Sequence, residues 1–298
     1  MCDDITDSEN DGWLNRRQFT ALGAGAAALA ALPGCSKAGT APTAASAPTP
    51  TALPTQSRSV VIDTPDGKAD AFFVFPATGK HPAVVMWPDI AGLRDAYKTM
   101  GTRLAAAGYA VLVVNTYYRN SPAPVLASFA EWRTPEGQAK LKPMITAVTP
   151  DATVRDATAF VSWLDRQAEV DTARGVGTAG YCMGGPLTIR TAFAAPARVG
   201  AAASFHGASL VSPAQDSPHL LLAKTRAAYL FAIAQNDDER ALGDKDELRK
   251  AAAAAGRPAE IEVYPAQHGW CTIDAPVYDA AQAEKAWGRM LALFTAHL

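Results

Sequence analysis

The chain has 298 residues, 49% of them hydrophobic, which is enough for one large or two smaller globular domains. With 27 Lys and Arg against 29 Asp and Glu the formal charge is -2, which excludes the strongly basic surface that nucleic-acid or anionic-membrane binding needs. No H-E-x-x-H run and no paired-cysteine spacing occurs, so no metal and no cofactor is expected.

The N-terminal segment reads as a targeting element. Asn15-Arg16-Arg17-Gln18-Phe19 opens a small-residue apolar run from Thr20 to Leu32. That run is shorter than the ~20 residues of a spanning helix, and with the arginine pair it has the form of a twin-arginine export signal. Leu32-Pro33-Gly34-Cys35 has the form of a lipobox, which makes Cys35 a candidate for lipidation. A plain signal peptide cut after Ala31 is the alternative. The segment after it is rich in Ala, Pro and Thr and nearly uncharged, so it cannot bury a core. The expected organisation is an export signal over 1–34, a disordered tether over 35–57 and a folded domain over 58–298. The protein is expected in the periplasm or on a membrane surface outside the cytoplasm, touching the membrane only through a lipid on Cys35.

Within the domain, Ser59–Ile62 and Ala69–Phe75 read as a hairpin turned at Pro65-Asp66-Gly67. Ala83–Trp87 reads as a buried strand followed by a loop from Pro88 to Arg94. Tyr97–Ala107 has helical spacing and stops at Gly108. Tyr109–Val114 is the next strand, and Pro122–Pro143 reads as an irregular cap or flap. Asp151–Gln167 carries Val154, Ala157, Phe160, Val161 and Leu164 on one helical face. A strand over Val176–Gly180 leads into a helix over Pro186–Ala194. Gly200–Phe205, Ala228–Ala234 and Glu260–Tyr264 are further strands, and Asp244–Ala255 and Tyr278–His297 further helices. Strands alternating with helices predict an α/β domain, a mostly parallel central sheet with helices on both faces.

The chemistry concentrates at Gly180-Tyr181-Cys182-Met183-Gly184-Gly185. This has the strand–turn–helix setting of a nucleophile elbow, G-x-S-x-G, with cysteine in place of serine. On the α/β-hydrolase fold the acid and the histidine follow the nucleophile in chain order. Asp237 and Asp238 lie just beyond the Ala228–Ala234 strand, and His268 just beyond Glu260–Tyr264. Both are at strand C-terminal ends, where such sheets carry their sites. A histidine beside a thiol can take its proton and return it to the leaving group, and a carboxylate on the other ring nitrogen fixes the tautomer. The Met183 N–H, and the Ile90 N–H from the loop after Ala83–Trp87, are the candidate oxyanion donors.

From Ala83 to Leu298 the chain resembles the dienelactone hydrolase family. Pro88-Asp89-Ile90-Ala91-Gly92-Leu93-Arg94, Ala107-Gly108-Tyr109, Tyr117-Tyr118-Arg119, the cysteine elbow and His268-Gly269 carry the resemblance. It implies hydrolysis of enol-lactones or related esters by Cys182, His268 and Asp237, without a metal. It also implies a thiol-tuning carboxylate at Asp89, where the family carries glutamate, and a substrate-carboxylate contact at Arg119. The chain departs from the family pattern after His268, where Gly269-Trp270-Cys271 offers no second arginine.

Several readings stay open at this stage. Asp238 neighbours Asp237. Tyr117, Tyr118, Trp132 and Trp270 are either pocket lining or core. His206, after Gly200–Phe205, either lines the pocket or is a hydrogen-bonded structural residue. Cys182 and Cys271 are a candidate disulfide in an oxidising compartment. A thiol redox enzyme, or a surface lipoprotein that binds a ligand without catalysis, are the alternatives to an ester or lactone hydrolase acting on a small molecule.

Overall fold

The computed structural model describes residues 52–298. The arginine pair Arg16-Arg17 and the lipidation candidate Cys35 lie outside the described residues. The hairpin predicted near the domain start is longer than its apolar pattern suggests. Its strands are β1 (Thr55–Thr64) and β2 (Gly67–Pro76), paired antiparallel. Thus β1 begins ahead of the Arg58 boundary. Gly67 turns the chain with φ +133, a conformation that a side chain disfavours.

The remaining elements follow in chain order: β3 (Ala83–Trp87), α1 (Asp95–Ala106), β4 (Ala110–Val114), α2 (Phe129–Trp132), α3 (Pro135–Ala147) and α4 (Pro150–Leu164). Then come β5 (Val176–Tyr181), a 3₁₀ turn (Cys182–Gly184), α5 (Gly185–Ala194), β6 (Val199–Phe205), α6 (Pro218–Leu221) and β7 (Ala228–Ala234). The last are α7 (Gln235–Arg240), α8 (Asp244–Ala255), β8 (Ala259–Tyr264) and α9 (Ala280–His297). The eight-stranded sheet has the order β1-β2-β4-β3-β5-β6-β7-β8. Pairs β1–β2 and β2–β4 are antiparallel, and every pair from β4 through β8 is parallel.

Strands β3 and β4 are buried along their whole length, as continuous apolar runs between two helix layers must be. One layer packs Phe160 and Leu164 of α4, Leu187 and Ile189 of α5, and Leu248 of α8 on the sheet. The other packs Tyr97, Met100 and Leu104 of α1 with Ala286, Met290 and Phe294 of α9. The inward face of the last helix is therefore core.

The segment read as an irregular cap is largely helical instead. In α3, Thr134 caps the N-terminus by accepting from the Gly137 N–H at 3.0 Å, and Pro135 occupies the first turn. The helix buries only Gly137 and Leu141 and contains Pro143, so its hydrophobic period is too faint to read.

Candidate active site

β5 ends in the 3₁₀ turn that carries Cys182, whose φ of +52 is uncommon for a residue with a side chain. The turn is compact because its glycines leave room. A Cβ on Gly180 would lie 2.1 Å from the Gly184 carbonyl oxygen, and one on Gly184 would lie 2.4 Å from that of Trp87. No side chain fits either place. Cys182 itself is buried, at 7% exposure.

His268 follows β8 in a loop whose backbone is pinned: its N–H donates to Asn236 Oδ1 at 2.8 Å. The ring Nδ1 meets Asp237 Oδ2 at 2.7 Å, and the Cys182 thiol is the ring's second hydrogen-bond partner. Burial of the ring disfavours its charged form, yet Cys182 and Asp237 outweigh burial and hold His268 well above its ordinary range. Arg240 anchors the other Asp237 oxygen at 2.7 Å. Asp238 points elsewhere and pairs with Lys245 at 2.6 Å, so Asp237 is the histidine's partner. Neither Asn236 nor Arg240 stood out in the sequence. Both roles depend on the short helix α7, which begins directly at the end of β7.

Ile90 lies in the loop after β3 and Met183 in the 3₁₀ turn, with Tyr117 between them. Its hydroxyl donates to the Ile90 carbonyl at 2.6 Å and contacts Met183 Sδ at 3.7 Å. Tyr117 is buried and braces the two candidate donor segments.

Three expected substrate or tuning contacts sit elsewhere. Both oxygens of Asp89 are held by Arg94, at 2.7 and 2.9 Å, and Oδ1 also accepts the Ala91 N–H at 3.0 Å. Arg94 is fully buried and reaches on to Asp274 at 2.7 and 2.8 Å. Asp89 is thus part of a loop-to-loop ion pair. One methylene shorter than glutamate, and with a guanidinium five residues on, its carboxylate turns to the arginine. Arg119, expected to meet a substrate carboxylate, is engaged by Asp66 at 2.6 Å and Asp156 at 2.7 Å. Trp270 is fully buried, stacked on Tyr264 with centroids 5.2 Å apart and edge-on to His206 at 5.1 Å. Trp132 is buried as well, and Tyr118 donates to Asp156 at 2.7 Å. Cys182 and Cys271 are both free thiols. Among the described residues no group of three or more His, Cys, Asp or Glu is arranged to hold a metal ion.

One neighbour of the thiol was underrated by sequence. His206, directly after β6, accepts the Cys182 backbone N–H on Nδ1 at 3.1 Å, and its ring lies edge-on to His268 at 4.9 Å.

Comparison with known proteins agrees with this architecture. The dienelactone hydrolase family model matches residues 69–298. A provisionally named carboxymethylenebutenolidase from Escherichia coli (strain K12) is 30% identical over 259 residues, covering 79% of this chain and 90% of that protein. Another, from Methylorubrum extorquens, is 28% identical over 239 residues, covering 78% of each. The crystal structure of a provisionally assigned dienelactone hydrolase from Klebsiella pneumoniae superposes with a TM-score of 0.69 at 23% identity, over 82% of this chain and 99% of that one. A dienelactone hydrolase-like promiscuous phosphotriesterase from metagenomic libraries superposes with a TM-score of 0.61 over the same shares. These two likenesses establish a shared fold. With its family match running from β2 to the last residue, over the eight-stranded, mostly parallel sheet, the chain belongs to the dienelactone hydrolase family.

Proposed function

We propose that the protein hydrolyses lactones or small esters through a thioester formed on Cys182. The supporting observation is the continuous line from Asp237 through His268 to Cys182 at a left-handed elbow residue. In this reading Asp237 orients the ring and stabilises its charge, and His268 draws the thiol proton. The Cys182 sulfur attacks the carbonyl, and the oxyanion forms against the Met183 and Ile90 N–H groups. His268 then protonates the leaving oxygen. Water, deprotonated by the same ring, opens the thioester and returns the free thiol. The relatives named as carboxymethylenebutenolidases support a lactone or enol-ester substrate.

With Arg119 committed to Asp66 and Asp156, nothing on this chain's Arg119 favours an anionic substrate over a neutral one. Export by the twin-arginine segment, and anchoring through Cys35, form a separate proposal about where the protein works. The chemical part is tested with Cys182→Ala on an activated ester such as nitrophenyl acetate. Loss of at least about 10²-fold in kcat is expected, since the nucleophile is removed. Retained activity would refute the mechanism.

A further inference from the structure

The backbone of Cys182 is held on both sides by the loop after β6. Its N–H donates to His206 Nδ1 at 3.1 Å, and its carbonyl accepts the Ala208 N–H at 3.2 Å. The two residues at the centre of this clamp both have a left-handed backbone, φ +52 at Cys182 and φ +40 at His206. Such conformations are strained and persist only where surroundings over-determine them. His206 is over-determined. Its own N–H donates to the Ala232 carbonyl at 2.8 Å, and its ring is wedged edge-on between His268 at 4.9 Å and Trp270 at 5.1 Å.

Because Nδ1 accepts, the ring's proton must sit on Nε2. Nε2 is buried and has no hydrogen-bond partner in the structure. A fully buried histidine with one nitrogen unsatisfied is a costly structural choice, because the orphaned donor loses its hydration without a replacement partner. Leucine or phenylalanine would fill the same space without that cost. The acceptor on Nδ1 is what such a residue could not supply.

We infer that His206 is a positioning residue for hydrolysis: its neutral, Nε2-protonated ring holds the Cys182 backbone at the elbow angle that points the thiol at His268. This rests on the reading of Cys182 as nucleophile. The ring acts through the Cys182 amide and touches no reacting atom. Burial first, and then the charge on neighbouring His268, keep His206 well below the ordinary histidine range, so it stays in the accepting form. A proton on Nδ1 would set two donors against each other.

Two substitutions at His206 separate the acceptor from the ring. His206→Asn keeps an oxygen where Nδ1 lies and tolerates a left-handed backbone, but loses the ring. His206→Phe keeps the ring and its edge contacts but has no acceptor. Two readouts are taken on the purified protein: kcat and KM for nitrophenyl acetate, and the rate of iodoacetamide alkylation at Cys182, located by peptide mass spectrometry so that Cys271 does not contribute. The expected result for His206→Phe is a fall of about tenfold or more in both kcat and the alkylation rate with KM nearly unchanged, because misaimed groups lose up to ~10²-fold. His206→Asn should retain both within several-fold. A His206→Phe protein that matches the wild type overturns the inference, as does a His206→Asn protein as slow as His206→Phe. Should His206→Phe fail to fold, His206→Asn decides alone: both rates within several-fold of the wild type support the clamp, and a fall of about tenfold or more in both overturns it. Should the wild-type protein alkylate yet hydrolyse no ester, the hydrolase reading fails, and the alkylation rates still judge the clamp.

Discussion

His268 stands between two groups that favour its charged form, the Cys182 sulfur and the Asp237 carboxylate. Its raised pKa makes it a stabilising contributor below its unfolded-state value of about 6.5. That contribution is lost as the pH rises through the higher folded-state value. Cys182 is the stronger of the two raising influences, so Cys182→Ala should move the ring titration, followed by nitrogen-15 NMR, to lower pH. An unmoved titration would mean that thiol and ring do not interact. Asp237→Asn should lower kcat by about 10²-fold or more, with the ring in the wrong tautomer. Asp238→Asn, which touches only the Lys245 pair, should leave kcat nearly unchanged. Tyr117→Phe tests the oxyanion side. Without the hydroxyl bond to the Ile90 carbonyl the loop loosens, and kcat should fall several-fold at constant KM, less than the ~10²-fold cost of losing a donor outright.

At the scale of elements, the site is assembled from loops at strand ends, and Arg94 ties three of them together. It grips Asp89 in the loop after β3 and Asp274 in the loop after His268, while Asp274 also accepts the Phe129 N–H at the start of α2, at 3.1 Å. Burial alone would favour a neutral guanidinium, but Asp89 and Asp274 keep it charged. Arg94→Met therefore leaves Asp89 buried without its cation and should cost about 3–5 kcal/mol in chemical denaturation. Adding Asp89→Asn should recover part of that loss. A single variant as stable as the wild type would contradict the latch.

The pattern that made β3 and β5 readable does not extend to such a latch. Arg94 lies five residues from Asp89 in the chain, but Asp274 is brought to it only by the folded loops. The helix α7 escaped for a similar reason. Its buried side is essentially Asn236, which leaves no hydrophobic period to detect.

For the molecule as a whole, the strand ends were the legible part. Cys182 and Asp237 closely follow the buried strands β5 and β7, and His268 trails the alternating, half-buried β8, so their order along the chain already implied their meeting. Choosing Asp237 over Asp238 required the turn into α7, and the positions of Asp89, Arg119 and Trp270 required the packing around them. His206 was visible only as a polar residue after β6. Its contact with the Cys182 amide depends on two left-handed residues, which no periodicity encodes. Where the protein works is a separate proposal. Replacing Arg16 and Arg17 together by lysine should leave the protein in the cytoplasm by cell fractionation, and unchanged export would remove the twin-arginine reading.

In the proposed reaction Cys182 carries the acyl group. The protein is quenched in acid within the first turnovers of nitrophenyl acetate and read by mass spectrometry, intact and after digestion with an acid protease. A transient acetyl adduct is expected on the peptide containing Cys182, absent in Cys182→Ala. Ester turnover with no adduct on Cys182, or an adduct that persists in Cys182→Ala, would contradict it.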